Sequence, residues 1–70
     1  MEKELIDMLK KSAESDKSKA LLSLKLLGKN PVGIGDHSTG DFYKNAEEAL
    51  SMLSDADDRL NTLKKYFNKK

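Results

Sequence analysis

The residue types that could do chemistry are concentrated in one short stretch near the middle of the chain. His37 is the only histidine, and the carboxylates Asp36 and Asp41 lie close to it in the sequence. Two carboxylates near a histidine can orient its ring for proton transfer, or the three side chains together can supply ligands to a divalent metal. Aspartate and serine near a turn also cap the backbone by hydrogen bonds. A loop-centred ligand or metal site is therefore an alternative to simple turn chemistry.

The sequence contains no complete catalytic or phosphate-binding motif. A single histidine would have to serve as the base for any nucleophile. The glycine-rich run has Ile34 and Gly35 where a P-loop needs Lys and Ser or Thr. The carboxylates at residues 55–58 lack the glycine and the closing glutamate of an EF-hand loop. We therefore expect a protein that is not an enzyme and that holds no cofactor.

The strongest pattern lies in the second half of the chain, where apolar residues recur at alternating steps of four and three. We call these positions the seam: Phe42, Ala46, Ala49, Leu53, Ala56, Leu60, Leu63 and Phe67. This heptad spacing lines one side of a helix and requires a partner helix. Ser38 with Asp41 resembles a capping box, and Asp41 is the competing cap. The pattern predicts a helix over about residues 38–67.

A weaker helical pattern covers residues 2 to about 27. Its apolar stripe is interrupted by Asp16 and consists of Ile6, Leu9, Ala13, Ala20, Leu24 and Leu27. Gly28 is placed to take the left-handed conformation after the last turn, and Pro31 prevents the helix from continuing. Residues 28–37, which include three glycines and the proline, are typical of a loop. The sequence thus predicts one domain of two helices joined by this loop.

The order of charges predicts that the two helices run antiparallel. Residues 1–9 carry a net charge of −2 and residues 59–70 carry +5. Residues 10–29 carry +4 and residues 36–58 carry −6. Folding the chain at the loop places each block beside one of opposite sign, and charges of this kind select helix orientation. We therefore predict an all-α fold, an antiparallel two-helix hairpin that resembles a coiled coil.

This arrangement makes the middle of the hairpin narrow. Paired residue numbers sum to roughly 70 in an antiparallel hairpin of this kind, so that Ala13 faces Ala56 and Asp16 faces Leu53. Small and polar residues at these positions contribute little apolar burial. A 70-residue chain is also near the size at which a single core is only marginally stabilising.

Apolar side chains remain outside the seam on both helices and in the loop. Burying each of them would contribute about 1.5–3 kcal/mol, which favours self-association, most simply a two-fold dimer that forms a four-helix bundle. Alternatively, the apolar residues of the loop cover part of this surface. The predicted partner or oligomer surface comprises Leu5, Met8, Leu21, Leu22, Leu26, Val32, Ile34, Leu50 and Met52.

Composition bears on location and on other partners. The formal charge is +1, which argues neither for nucleic acid nor for a membrane. The sequence has no apolar run of about 18 residues and no signal-peptide pattern at its start. We expect a cytoplasmic protein. Weak nucleic-acid binding through the lysine-rich termini is a second alternative.

The run KNPVGIGDHS at residues 29–38 is followed by an acidic helix that ends in DDRLNTLKKYF at Phe67. Together they resemble small proteins of uncharacterised role from tailed phages that infect marine cyanobacteria. The similarity covers about residues 28–67 and leaves the first helix unmatched. The resemblance implies a place in the host cytoplasm or in the virion, and a host or phage protein as partner. It supplies no activity and no functional residues. The sequence thus predicts a small protein–protein interaction or regulatory protein.

Overall fold

The computed structural model describes residues 2–29 and 39–67, except for the side chains of residues 39 and 40. Both ranges are helical: α1 spans Glu2–Lys29 and α2 spans Thr39–Phe67. The two helices pack lengthwise against each other, and these two ranges contain no strand. The molecule measures 49 × 16 × 15 Å, and a 28-residue helix is about 42 Å long. The predicted all-α hairpin is confirmed.

Residues at the two ends of the molecule show that the helices are antiparallel. Ile6, near the start of α1, lies beside Phe67 at the end of α2. Leu27, near the end of α1, lies beside Asn45 in the second turn of α2. The blocks of opposite charge therefore lie side by side, as the charge order predicts.

The termini of both helices agree with the helix dipole. Acidic residues occupy the first turns, and the last turns hold Lys29 in α1 and Lys64 and Lys65 in α2. Each position is favourable because the positive end of the dipole is at the N-terminus. The alternative in which Asp41 caps α2 is wrong, since α2 begins at Thr39 and Asp41 lies within its first turn.

The predicted left-handed conformation of Gly28 is also wrong. The helix α1 continues through Gly28 to Lys29, and the φ angle of Gly28 lies outside the left-handed region. Pro31 permits this longer helix, because a proline disfavours helical backbone only at the residue directly before it. Lys29 is the last position outside that restriction, so the helix runs two residues beyond the predicted end.

Alanine side chains form the buried interior. The buried hydrophobic residues of the described ranges are Ala13 and Ala20 in α1 and Ala49 and Ala56 in α2. Each pair is spaced by seven residues, so the four methyl groups lie along the helix–helix contact. Small side chains allow two helix backbones to approach closely. The larger apolar residues of the seam are only partly covered, and no large side chain in the described ranges is fully buried.

The contact between the helices is open at the end where α1 begins. Phe67 is 45% exposed although it belongs to the seam. Leu9, which the pattern places in the contact against Leu60, is 40% exposed. The exposure of Leu9 follows from the seven-residue repeat of Ala13 and Ala20. That repeat continues to Ile6, so Leu9 lies at the edge of the contact.

Candidate interaction surface

Arg59 is the centre of a charged network that joins the two helices. Its Nη2 atom donates a hydrogen bond to Oδ2 of Asp16 at 2.7 Å, and its Nε atom donates to Oδ2 of Asp55 at 3.0 Å. The other oxygen of Asp16 lies 3.9 Å from Nζ of Lys19. The carboxylate that interrupts the apolar stripe of α1 is therefore compensated by the only arginine of the chain.

A second ion pair crosses between the helices on the opposite side. Nζ of Lys17 lies 3.3 Å from Oδ1 of Asp57. Asp16 and Lys17 are adjacent and both half-buried, and they reach α2 on either side of the alanine contact. We name the two sides the Arg59 face and the Lys17 face.

The direction of the side chains explains why these residues meet. Side chains on a helix lean toward its N-terminus. In antiparallel helices the side chains of the two helices therefore lean in opposite directions. Arg59 reaches Asp16 and Asp57 reaches Lys17 in this way, although the backbones of each pair lie at different heights along the helix axis. The hydrogen bond to Asp16 is the main cause that raises the pKa of Arg59, with Asp55 adding to it. The guanidinium is therefore charged wherever the protein is folded.

The Arg59 face carries an apolar groove close to the end of α1. The groove has a volume of about 420 Å³, and its apolar lining includes Leu26, Leu27, Ala49 and Met52. Met52 lies one heptad before Arg59, which is consistent with their place on the same face. Two residues of the predicted partner surface, Leu26 and Met52, are thus brought together here, and both remain exposed.

The Lys17 face holds two other residues of the predicted surface. Leu50 lies one heptad before Asp57, and Leu21 lies one turn after Lys17. Both leucines are about half exposed. The predicted surface is therefore divided between two faces of the hairpin.

A row of residues on α1 points away from the seam and toward the Arg59 side. We call it the outer stripe: Leu5, Met8, Ser12, Ser15, Lys19, Leu22 and Leu26. The steps of three and four place all seven on one side of the helix. Its four large apolar members are between 48% and 57% exposed. They lie at the two ends of the stripe, with the serines and a lysine between them.

A second groove lies at the open end of the molecule, on the Lys17 side. Its volume is about 470 Å³, and it runs between Ile6 of α1 and Leu60, Leu63 and Phe67 of α2. Lys10, Glu14 and Lys64 also line it. The sequence pattern does not place these residues in a binding surface, because its heptad spacing assigns the apolar ones to the contact between the helices. Phe67, which lines this groove, is 45% exposed.

The predicted loop site lies mostly outside the described residues. This holds for Asp36 and His37, and also for Val32 and Ile34 of the predicted partner surface. Asp41 lies in the first turn of α2. Within residues 2–29 and 39–67, no group of three His, Cys, Asp or Glu side chains could hold a metal ion. The loop site stays a prediction.

The lysines proposed for nucleic acid are only partly described. Lys64 and Lys65 are exposed in the last turn of α2, and Nζ of Lys65 lies 5.3 Å from the ring centroid of Tyr66. Lys69 and Lys70 lie outside the described residues. In the part of the chain that the structure covers, neither helix is long and apolar enough to cross a membrane.

Comparison with known proteins gives no match: no protein-family model, no curated protein and no solved structure is similar to this chain.

Proposed function

We propose that this protein is a non-enzymatic interaction module, a helical hairpin that becomes fully stable when other helices cover its exposed apolar side chains. The smallness of its own interior carries the proposal. Four alanines are the buried hydrophobic residues of the two described helices. Apolar burial contributes roughly 25 cal/mol per Å², whereas fixing the backbone of each residue costs on the order of 1–2 kcal/mol. Alanine methyl groups offset little of that cost, and the larger apolar side chains between the helices, which contribute more, are only partly covered.

Exposed apolar side chains are the second support. Eleven large hydrophobic side chains of the described helices are at least 40% exposed. Scattered apolar residues are normal on a monomer surface. Here, however, many of them recur at helical spacing, which is the pattern that an added helix can cover. Four of the eleven also line open grooves: Leu26, Leu50, Met52 and Phe67. The covering helices belong either to further copies of this chain or to another protein, such as the host or phage partner that the resemblance implies.

Light scattering after size exclusion, combined with urea unfolding followed by circular dichroism, tests the proposal over a hundredfold range of protein concentration. We expect a particle mass above the 7.8 kDa of one chain. The urea midpoint should rise with concentration, because association stabilises only the folded state. A monomer that unfolds cooperatively at the same urea concentration throughout overturns the proposal. A monomer that stays partly unfolded throughout retains it and assigns the missing helices to a different protein.

The two alternative functions have their own tests. A zinc or manganese titration followed by the ring chemical shifts of His37 tests the loop site. Unchanged shifts at a stoichiometric amount of metal would exclude that site. A DNA retention assay tests the lysine-rich termini, because binding through phosphate contacts weakens steeply as salt increases. No retention at low salt would exclude nucleic-acid binding.

A further inference from the structure

We propose that the helix that covers the outer stripe is α1 of a second copy of this chain, packed antiparallel about a two-fold axis at Ser15. This inference rests on the proposed function and names its partner. Four features of the molecule support this pairing: the order of residues along the stripe, the charges at the ends of α1, the groove on the Arg59 face and the polarity of α2.

The outer stripe is complementary to itself when it is reversed. Met8 lies seven residues before Ser15, and Leu22 lies seven residues after it. An antiparallel copy centred on Ser15 therefore places Met8 against the partner's Leu22. A two-fold interface requires this reciprocity, in which each contact occurs twice. Leu5 lies ten residues before Ser15 and Leu26 eleven after it, so this axis places Leu5 within one residue of the partner's Leu26.

Two serines and Lys19 occupy the centre of the stripe, where the two copies of α1 would cross. Ser12 and Ser15 are both exposed. Short side chains at a crossing allow the backbones to approach, so that the longer apolar side chains at both ends reach across. The axis at Ser15 thus joins four apolar side chains from each copy, half exposed in the hairpin, into two separate clusters.

The charges at the ends of α1 favour the antiparallel direction. Residues 1–9 carry a net charge of −2. The opposite end of the helix carries Lys25 and Lys29 and no acidic residue after Asp16. An antiparallel pair places the acidic end of each copy beside the basic end of the other, whereas a parallel pair places like charges together. Charges beside a helix contact select its orientation in this way.

The groove on the Arg59 face lies where the end of the partner helix arrives. Leu26 lines this groove, together with Met52 of α2. Because Leu26 is paired with the partner's Leu5, the partner's first turns would enter the groove and cover Met52 as well. The pairing of Leu26 with the partner's Leu5 would therefore cover exposed apolar side chains on both helices.

The outer side of α2 offers no equivalent surface. The residues opposite its seam are polar or charged at every heptad, and they are Lys44, Glu47, Ser51, Ser54, Asp58, Asn61 and Lys65. A second copy that packed there would have to remove these groups from water, which costs free energy unless they are paired. The outer stripe of α1 is therefore a better surface for a second copy than the outer side of α2.

Cysteine cross-linking tests the register, because the natural chain contains no cysteine. Single variants Ser15→Cys, Met8→Cys and Leu22→Cys are treated with a bismaleimide that spans about 8–10 Å, the distance between packed helix axes. We expect Ser15→Cys to cross-link with itself. Leu22→Cys alone should not, since its two copies would be about 21 Å apart along the axis. A refolded mixture of Met8→Cys and Leu22→Cys should cross-link.

Any other pattern of cross-linked products overturns the inference. Self-linking of Leu22→Cys indicates a parallel pair or an antiparallel pair in another register, and an associated particle in which Ser15→Cys does not react indicates another face. Neither of these two results contradicts the proposed function. A stable monomer overturns the inference and the proposed function together. A partly unfolded monomer overturns the inference alone.

A substitution pair gives a second readout that does not depend on the cross-linker. Leu22 and Leu50 are 57% and 58% exposed, but only Leu22 lies on the outer stripe. Leu22→Gln should weaken association by about 100-fold, since a symmetric interface loses two leucines. Leu50→Gln should leave association unchanged within about twofold, the scatter expected for a surface substitution. Equal effects of the two substitutions would contradict the assignment.

Discussion

The Nη2 atom of Arg59 lies 2.7 Å from Oδ2 of Asp16, a contact between residues that are 43 positions apart in the sequence. The same guanidinium is held by Asp55 on its own helix. An ion pair between two flexible exposed side chains contributes little, because holding both in one geometry costs side-chain entropy. Here Asp55 orients the planar guanidinium before it reaches across. We therefore expect the contact to contribute more to the register of the two helices than a pair of isolated charges would.

A double-mutant cycle with Asp16→Asn and Arg59→Gln should give a favourable coupling between the two side chains. We expect this coupling to exceed that of Lys17 and Asp57, whose atoms lie 3.3 Å apart and which have no third charged group within the two described helices to orient them. Urea unfolding measures both cycles, since urea carries no charge. Both couplings should decrease in 1 M salt, which screens partly exposed pairs. Equal couplings would contradict the orienting role of Asp55.

The close contact at the alanines should be intolerant of larger side chains. Ala56 is 0% exposed, so Ala56→Leu should lower the free energy of unfolding by about 1–3 kcal/mol through overpacking. Ala46 is the matched control, since it belongs to the same seam but is only half-buried. Ala46→Leu should cost less. Urea unfolding of both variants at one protein concentration checks the order, and an Ala56→Leu protein as stable as the natural one would show that the helices are not closely packed there.

Shortening apolar side chains of the seam tests whether the contact between the helices is open at one end of the hairpin. Leu60 is half-buried and Phe67 is 45% exposed. We expect Leu60→Ala to cost about 1–3 kcal/mol, less than the 2–5 kcal/mol of a fully buried leucine. Phe67→Ala should cost less than Leu60→Ala although it removes a larger side chain. Thermal unfolding ranks the two variants, and the reverse order would mean that Phe67 is covered in solution.

Much of the fold follows from the sequence because it depends on short-range periodicity. The alternation of four and three along the seam specifies a helix and its apolar side. The order of charged blocks specifies the antiparallel direction, and the heptad spacing of Ala49 and Ala56 matches that of Ala13 and Ala20. Each of these features can be counted without knowing which side chains meet.

The role of Arg59 could not be predicted in the same way. Its spacing from Asp55 suggests a pair within one turn, and Asp16 in an apolar stripe indicates that a partner is needed. However, the pairing of Arg59 with Asp16 depends on how far each side chain leans along the helix axis. The division of Leu26 and Leu50 between two faces likewise requires the relative rotation of the helices, which neither helix specifies alone.

The end of α1 gives the clearest test of a local prediction that was wrong. Gly28 lies inside the helix, and a methyl group added to it would meet no atom within 4 Å. Gly28→Ala should therefore stabilise the protein by about 0.5–1 kcal/mol, because alanine loses less backbone entropy in a helix than glycine. This corresponds to an increase in Tm of roughly 2–8 °C for a chain of this size.

Gly28→Asn is the control that separates the two backbone conformations. Asparagine tolerates the left-handed region better than alanine does, but it is a poorer helix former. In the helical conformation the order of stability is alanine, then asparagine, then glycine, whereas at a left-handed cap alanine would be the least stable of the three. Thermal unfolding at a fixed protein concentration distinguishes these orders. A lower Tm for Gly28→Ala than for the natural protein would indicate that Gly28 adopts the left-handed conformation of a helix cap.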